Sequence, residues 1–452
     1  MSVKLVPSQS GKPAESPLPY TGNPLYLCWY DVLLFWRCSW SVVGIVLPLS
    51  PWPCGPLDEL YPSIQNLICL ALHGFLIVLQ VLFLASLPIL VAFPVGTAFI
   101  YVAAVMVVNF SVSWLLNGHD SVHRSKVHLG NDAQEHDDEF WIYLNGVSVG
   151  QVTSPFLRVC LNSLGTRKHW LQGNLDRLAL TFRRPITGVH NRTYGIIFDL
   201  IQCIIERNFC YATFDVRNSY LLIKDCLLQE QHKKVILILH SQGGIEGSLI
   251  LDWLLSELPH DLLQKLEIYT FGSAANHFNN PHRISAYVEA SRSPTVTARN
   301  DKAVRHIEHY ATDGDFVARW GVLGFSRMEN RYMGRVFIRS GMGHLLNQHY
   351  LNMMFPLGKD QRTLESNPFM DGEVDFSSDG AVDKARDGIF ETMLNGGNGA
   401  VTAIVEDMHS PVEPVSLSRA ESILEAKLAQ KKPKVRDFSR LWEYRDGKKP
   451  EN

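Results

Sequence analysis

Val235-Ile236-Leu237-Ile238-Leu239-His240-Ser241-Gln242-Gly243-Gly244 is the stretch from which the rest of the chain can be read. Its first five residues are apolar without interruption and three are β-branched, the pattern of a strand buried on both faces of a parallel sheet. A tight turn follows, and then Ile245 to Leu255 carries apolar side chains at Ile245, Leu249 and Trp253, a helical spacing. A strand, a sharp turn at a serine and a helix together lift the serine hydroxyl above the sheet edge, the arrangement called a nucleophile elbow. The helix behind it directs its N-terminal dipole and free N–H groups at charge developing on a substrate oxygen. The usual pattern is Gly-x-Ser-x-Gly, and this chain has Leu239 where the first glycine belongs. A bulky side chain at that point crowds the turn.

A serine hydroxyl needs a base to take its proton and a carboxylate to orient that base. On a sheet of this kind the three follow in the order Ser, Asp or Glu, then His, at the C-terminal ends of successive strands. Asp315 follows the strand predicted at Val304–Tyr310, and His344 lies in Gly341-Met342-Gly343-His344, where glycines suit a loop that folds back over the sheet edge. Asp313 is an alternative acid. His349, on a predicted helix, is an alternative histidine, while His240 and His277 lie near the sheet edge but do not follow the acid in the chain. Two N–H donors are needed for the oxyanion. The backbone of Gln242 is one candidate, and the second is expected from Asn145-Gly146-Val147, after the strand predicted at Phe140–Leu144, through Gly146 or Val147.

The chain has 452 residues and a formal net charge of −3, which gives no electrostatic basis for nucleic-acid binding. Its eight cysteines form no Cys-x-x-Cys pair and no ligand-like spacing with histidine, so they read as buried thiols in a reducing compartment. Neither a phosphate-binding glycine loop nor a metal-ligand cluster is present, and no cofactor is expected. Asn191-Arg192-Thr193 matches a glycosylation acceptor, usable only in a lumenal location.

Residues 1–22 are rich in Pro and Ser and read as a disordered leader, with no signal peptide. Leu25–Leu49 is rich in Trp, Phe and Leu but carries Asp31 and Arg37, which suits a membrane interface better than a crossing. From Leu60 to His119 there is no Asp, Glu, Lys or Arg. About 20 apolar residues cross a bilayer, so this run holds two such spans, divided at Pro88 and Pro94. The Lys and Arg flanks place both ends of that hairpin on the cytosolic side. The expected organisation is thus 1–59 leader and interfacial segment, 60–119 membrane hairpin, 120–139 linker, 140–357 catalytic domain and 358–452 flexible tail. Within the domain, Leu178–Phe182 and Ile186–His190 read as strand pieces, Tyr194–Asn208 and Leu221–Gln229 as helices, and Leu266–Phe271 as a strand. Gln151–Lys168 is irregular, and in the tail a helix is expected near Ser418–Gln430, where Ser418 and Glu421 have capping-box spacing. Alternating strands and helices predict an α/β fold, a mostly parallel sheet covered on both faces.

Phe140 to Leu357 resembles the α/β-hydrolases of the lipase and esterase type. Leu239-His240-Ser241-Gln242-Gly243-Gly244 corresponds to their elbow, and Tyr269-Thr270-Phe271-Gly272-Ser273 resembles a strand and turn of class 3 lipases. The blocks His277–Pro281, Asp315–Gly321 and Gly343–Tyr350 are similar to a group of uncharacterised fungal membrane-associated hydrolases. The resemblance implies an intracellular serine hydrolase, with Ser241, Asp315 and His344 as its triad, and defines no substrate. A membrane-anchored enzyme acting on carboxylic esters, of lipids or small molecules, at the endoplasmic reticulum or a lipid droplet with its catalytic domain in the cytosol, is the leading expectation. A thioesterase or amidase, or a catalytically silent membrane scaffold, is the alternative.

Overall fold

The structure, a computed structural model, describes residues 2–6, 16–49, 54–117, 122–129, 136–146, 170–283, 302–328, 331–375 and 433–450. Nine strands form one sheet. They are β1 (Ser2–Val6), β2 (Val122–Arg124), β3 (Glu139–Leu144), β4 (Ile186–Val189), β5 (Lys234–His240), β6 (Leu266–Phe271), β7 (His306–Thr312), β8 (Arg335–Arg339) and β9 (Glu373–Asp375), in the order β2-β4-β3-β5-β6-β7-β8-β1-β9. From β4 to β8 all neighbours run parallel, while β2 against β4 and β1 against β8 are antiparallel. The chain leaves β3 for β4 on one side and returns for β5 on the other. That reversal is a topological switch point, and in open α/β sheets ligands bind beyond the C-terminal strand ends at such a point.

Buried apolar side chains alternate between the two faces of the strands, because successive Cβ atoms of a strand point to opposite sides. Leu144, Leu237, Leu239 and Ile268 pack on one face against α5 (Ile196–Phe209), α6 (Phe214–Leu228) and α7 (Gly243–Glu257). Trp141, Tyr143, Ile238 and Phe271 pack on the other against α4 (Trp170–Phe182) and a C-terminal segment that includes Val435, Leu441 and Trp442. The mostly parallel mixed sheet with helices on both faces agrees with the expectation of an α/β fold.

Several expectations need correction. Ser2–Val6 is no part of a disordered leader: Val3 and Leu5 alternate with Ser2 and Lys4, and both are buried as β1 pairs with β8 and β9. Within the expected linker, Val122–Arg124 forms a strand beside β4. Leu178–Phe182 is the end of helix α4, not a strand. Leu171 to Phe182 are all buried, so no polar face marks the helical period. The tail beyond Leu357 is not uniformly loose, since residues 433–450 cover the aromatic face of the sheet and Arg440 pairs with the buried Glu267 at 3.1 Å. The expected helix near Ser418–Gln430 and the irregular Gln151–Lys168 lie outside the described residues.

The charge-free run forms α2 (Ile64–Leu90) and α3 (Val95–Asn117), both long and apolar enough to cross a membrane. Pro88 lies inside α2 and does not end it. Upstream, α1 (Pro24–Cys38) and a 3₁₀ turn (Ser39–Ile45) hold the aromatic segment. The seven described cysteines are free thiols.

Candidate active site

Ser241 opens the turn from β5 into α7 with φ of +59°, a left-handed conformation that a side chain adopts at a strained turn. Its N–H donates to Phe271 O at 3.1 Å, and its carbonyl accepts from Gly244 and Ala274, each at 3.0 Å. These bonds hold the serine between β5 and β6. The helix packs close because its first residues are small. A Cβ at Gly243 would stand 2.5 Å from Leu144 O, and one at Gly244 would stand 2.2 Å from Ser273 Oγ.

His344 and Asp315 meet at the same edge. The imidazole Nδ1 donates to Asp315 Oδ2 at 2.8 Å, and both residues are buried. Asp315 Oδ2 also accepts from the Tyr350 hydroxyl at 2.8 Å, while Oδ1 accepts from Val317 N, capping the short helix that follows β7. With Nδ1 committed to the carboxylate, Nε2 is the nitrogen left for proton transfer. Gly272, at φ of +52°, forms the bed of the imidazole: a Cβ there would stand 2.8 Å from Asp315 Oδ2 and 2.9 Å from His344 Nδ1. Phe271, its neighbour, is bonded to Ser241, so the serine and the imidazole flank one strand end. The Ser241 hydroxyl makes no hydrogen bond to His344 among the described residues. Catalytic hydrogen bonds are often long without substrate and tighten as it binds.

The alternatives have other work. Asp313 accepts from Gly341 N and Ser340 Oγ and so shapes the histidine loop. His349 donates from Nε2 to Pro48 O at 2.7 Å and accepts the Leu345 N–H. His240 donates from Nε2 to His344 O at 2.8 Å and lies against the His344 ring, with centroids 4.7 Å apart. Burial, and next the neighbouring His344 charge, pushes the His240 imidazole down to about 3, which keeps it neutral. His277 pairs with Asp252 at 2.8 Å on α7.

Gly146 lies directly against Ser241, for a Cβ there would stand 2.5 Å from Ser241 Cβ and 2.9 Å from its Oγ. Neither the Gln242 nor the Gly146 N–H donates to a described residue, which leaves both free for an oxyanion. Val147 lies outside the described residues. A buried polar chain supports this loop. Asn145 Nδ2 donates to Gly146 O, Asn145 Oδ1 accepts from Asn191 N, and Asn191 Nδ2 donates to Gln242 Oε1 at 2.8 Å. Gln242 Nε2 in turn donates to Glu206 Oε2 at 2.9 Å. Asn191 is 4% exposed, so in the folded chain it is a brace of the site rather than an open glycosylation acceptor.

The aromatic N-terminal segment also enters the site, which no sequence motif indicates. Gly343 N donates to Gly44 O at 2.9 Å and His344 N to Ile45 O at 3.2 Å. Glu59 accepts the Asn347 and Gln348 N–H groups at 2.8 and 3.0 Å, capping the π-helix (Leu346–Leu351) behind the histidine. Gly44, Ile45 and Glu59 therefore pack with the sheet domain around His344. Tyr350, Gly272 and Asn191 are supporting residues to which sequence reasoning gave no role at the site; the positive φ of Gly272 and the burial of Asn191 leave no signature in spacing.

A scan against protein-family models finds no match for this chain, and a search of curated proteins finds none either.

Proposed function

We propose that this chain is a membrane-bound serine hydrolase of the α/β-hydrolase type that cleaves carboxylic esters, chiefly those of lipids. The observation that carries the reading is Ser241 on a left-handed turn beside a buried His344–Asp315 pair, with two free N–H groups next to it. Ser241 Oγ attacks the ester carbon as its proton passes to His344 Nε2, and Asp315 stabilises the imidazolium. The Gln242 and Gly146 N–H groups receive the oxyanion. The alkoxide departs with the proton from His344, leaving an acyl-serine. Water then attacks the acyl carbon, again giving its proton to His344, and acid and free serine are released.

Ester, thioester and amide carbonyls all fit this chemistry. The lipid preference rests on the two helices of membrane-crossing length and on the exposed tryptophans of α1. In this reading the hairpin holds the enzyme in the endoplasmic reticulum or on a lipid droplet, with the catalytic half in the cytosol. A silent scaffold is the weaker reading, because a structural turn has no need of free N–H groups beside a strained serine.

The test is labelling with a fluorophosphonate probe. The native chain should label and Ser241→Ala should not. Equal labelling of both would reject Ser241 as the nucleophile, and absence of labelling in a folded native chain would favour the scaffold.

A further inference from the structure

Helix α5 is built inside out for a helix facing water. Its charged residues Asp199, Glu206 and Arg207 are buried, while Ile201, Ile205 and Phe209 are 39–48% exposed. A helix at an aqueous surface turns its isoleucines inward and its charges outward. Arg207 is committed inward: its Nε donates to Asp31 Oδ2 of α1 at 2.7 Å, and its guanidinium lies 3.6 Å over the Trp320 ring. The facing helix repeats the pattern up to its last turn, where Arg37 is exposed. In α1 the acidic residue Asp31 is buried, and Leu25, Trp29 and Trp36 stand outside at 60–74% exposure.

The depth of α5 follows from its attachment. Gln80, in the middle of α2, donates to Tyr194 O at 2.6 Å and accepts the Ile197 N–H at 3.2 Å. Asn109 of α3 donates to the same Tyr194 carbonyl at 3.1 Å. The first turn of α5 is therefore fastened to the hairpin at the level of Gln80. At 1.5 Å per residue α2 is about 40 Å long, and Gln80 stands about 24 Å from its start. Any placement of α2 across a hydrocarbon core of about 30 Å takes Gln80, and the start of α5 with it, inside that core. Between the two lies an open groove of about 710 Å³, lined by Met106 and Phe110 from the hairpin and by Phe198, Ile201 and Ile205 from α5, with Arg192 and Asp215 also in its wall.

We infer that the outward faces of α5 and α1 are lipid-contacting surfaces, and that a lipid acyl chain occupies the groove between α5 and the hairpin. The catalytic half is then set into the membrane instead of hanging from an anchor. The occupant is lipid because the groove continues the apolar surface of α2 and α3 and the charges of α5 are turned away from it. This inference rests on the membrane reading above.

The full chain, reconstituted in phosphatidylcholine vesicles with a trace of alkyne-tagged phosphatidylcholine, tests it. A benzophenone amino acid is placed singly at Ile201, Ile205, Phe99 at the exposed start of α3, and Leu364 on the opposite side of the sheet, each exposed. Retained thermal midpoints show that each variant folds. After irradiation, lipid adducts at Ile201 and Ile205 should match those at Phe99 and exceed those at Leu364 at least tenfold. Adducts at Phe99 with none at Ile201 or Ile205 would overturn the α5 surface and leave the hairpin reading standing. Loss of adducts at Phe99 as well would overturn both. Crosslinks to a second copy of the chain or to another protein would overturn lipid as the occupant.

Discussion

Gly247 and Leu239 face each other where α7 packs on β5, so closely that a Cβ on Gly247 would stand 2.2 Å from Leu239 Cδ1. This pairing accounts for the departure of the elbow from the Gly-x-Ser-x-Gly pattern. The leucine that stands in place of the usual glycine does not splay the turn, because the helix yields space to it one turn further along. Leu239 is itself fully buried in the core, so its side chain has no free volume to move into.

Gly247→Ala should therefore destabilise the fold, although alanine in a helix interior is ordinarily worth about 0.5–1 kcal/mol over glycine. Overpacking of a filled core costs about 1–3 kcal/mol, and the urea midpoint should fall accordingly. In the double variant Leu239→Ala with Gly247→Ala the new methyl fills part of the vacated space. Its loss should be smaller than the sum of the two single losses, which a double-mutant cycle measures. Strict additivity would show that the two residues do not press on each other.

The acid of the proposed triad is tested by comparing two aspartates two residues apart. Asp315→Asn leaves the His344 ring without its carboxylate and should lower kcat for ester hydrolysis by about four orders of magnitude. Asp313→Asn touches only the contacts to Ser340 and Gly341 and should stay within about tenfold of the native rate, since the amide oxygen still accepts from Gly341 N and the amide N–H can donate to the Ser340 hydroxyl. Steady-state kinetics with a soluble ester decide it. The reverse ranking would move the acid to Asp313.

The strands of the sheet centre and the serine turn were legible because their information is local. A continuous apolar run marks β5, aliphatic and aromatic residues around Glu267 and Thr270 mark β6, and the chain order of serine, aspartate and histidine follows from the parallel sheet. What was not legible is non-local. Helix α4 is buried all round, so it shows no amphipathic period, and Leu178–Phe182 reads as a strand for that reason. β1 is a five-residue strand whose partners, Arg335–Arg339 and Glu373–Asp375, lie more than 300 residues away. The contact of Gly44 and Ile45 with the histidine loop passes through backbone atoms, which composition cannot reveal.

Glu206 gives a pH dependence of known sign. Burial raises its carboxyl from 4.5 to about 7, against the hydrogen bonds from Gln242 and Gln202 that favour the charged form. Glu246 beside it is pushed up by burial and by the Glu206 charge. The folded state holds a proton on Glu206 that the unfolded chain has released, so stability is full below about 4.5 and falls as pH rises toward about 7. In Glu206→Gln this contribution is absent, and the loss of urea midpoint between about pH 5 and about pH 7 should shrink. His240, held down at about 3 by burial, acts in the opposite sense by adding stability as pH rises from its folded toward its unfolded value. It is common to both proteins and cancels in the comparison. An unchanged pH slope in the variant would show that Glu206 is ionised in the fold.

Gly146 offers the sharpest test of the oxyanion site. It combines a free N–H with a backbone pressed against the nucleophile, 2.5 Å from Ser241 Cβ at the position a side chain would take. Gly146→Ala must either turn the serine hydroxyl away from His344 or push the β3 loop back, carrying the N–H out of reach. Either way transition-state stabilisation is lost, and removing one oxyanion donor costs about 10²–10³ in kcat. The native contact of Asn145 with Asn191 holds the loop against such a retreat, so the variant should also lose about 1–3 kcal/mol of stability from overpacking. Adding Ser241→Gly to Gly146→Ala removes the clashing Cβ and should restore the thermal midpoint without restoring turnover. Full fluorophosphonate labelling and full turnover in Gly146→Ala would exclude Gly146 as an oxyanion donor.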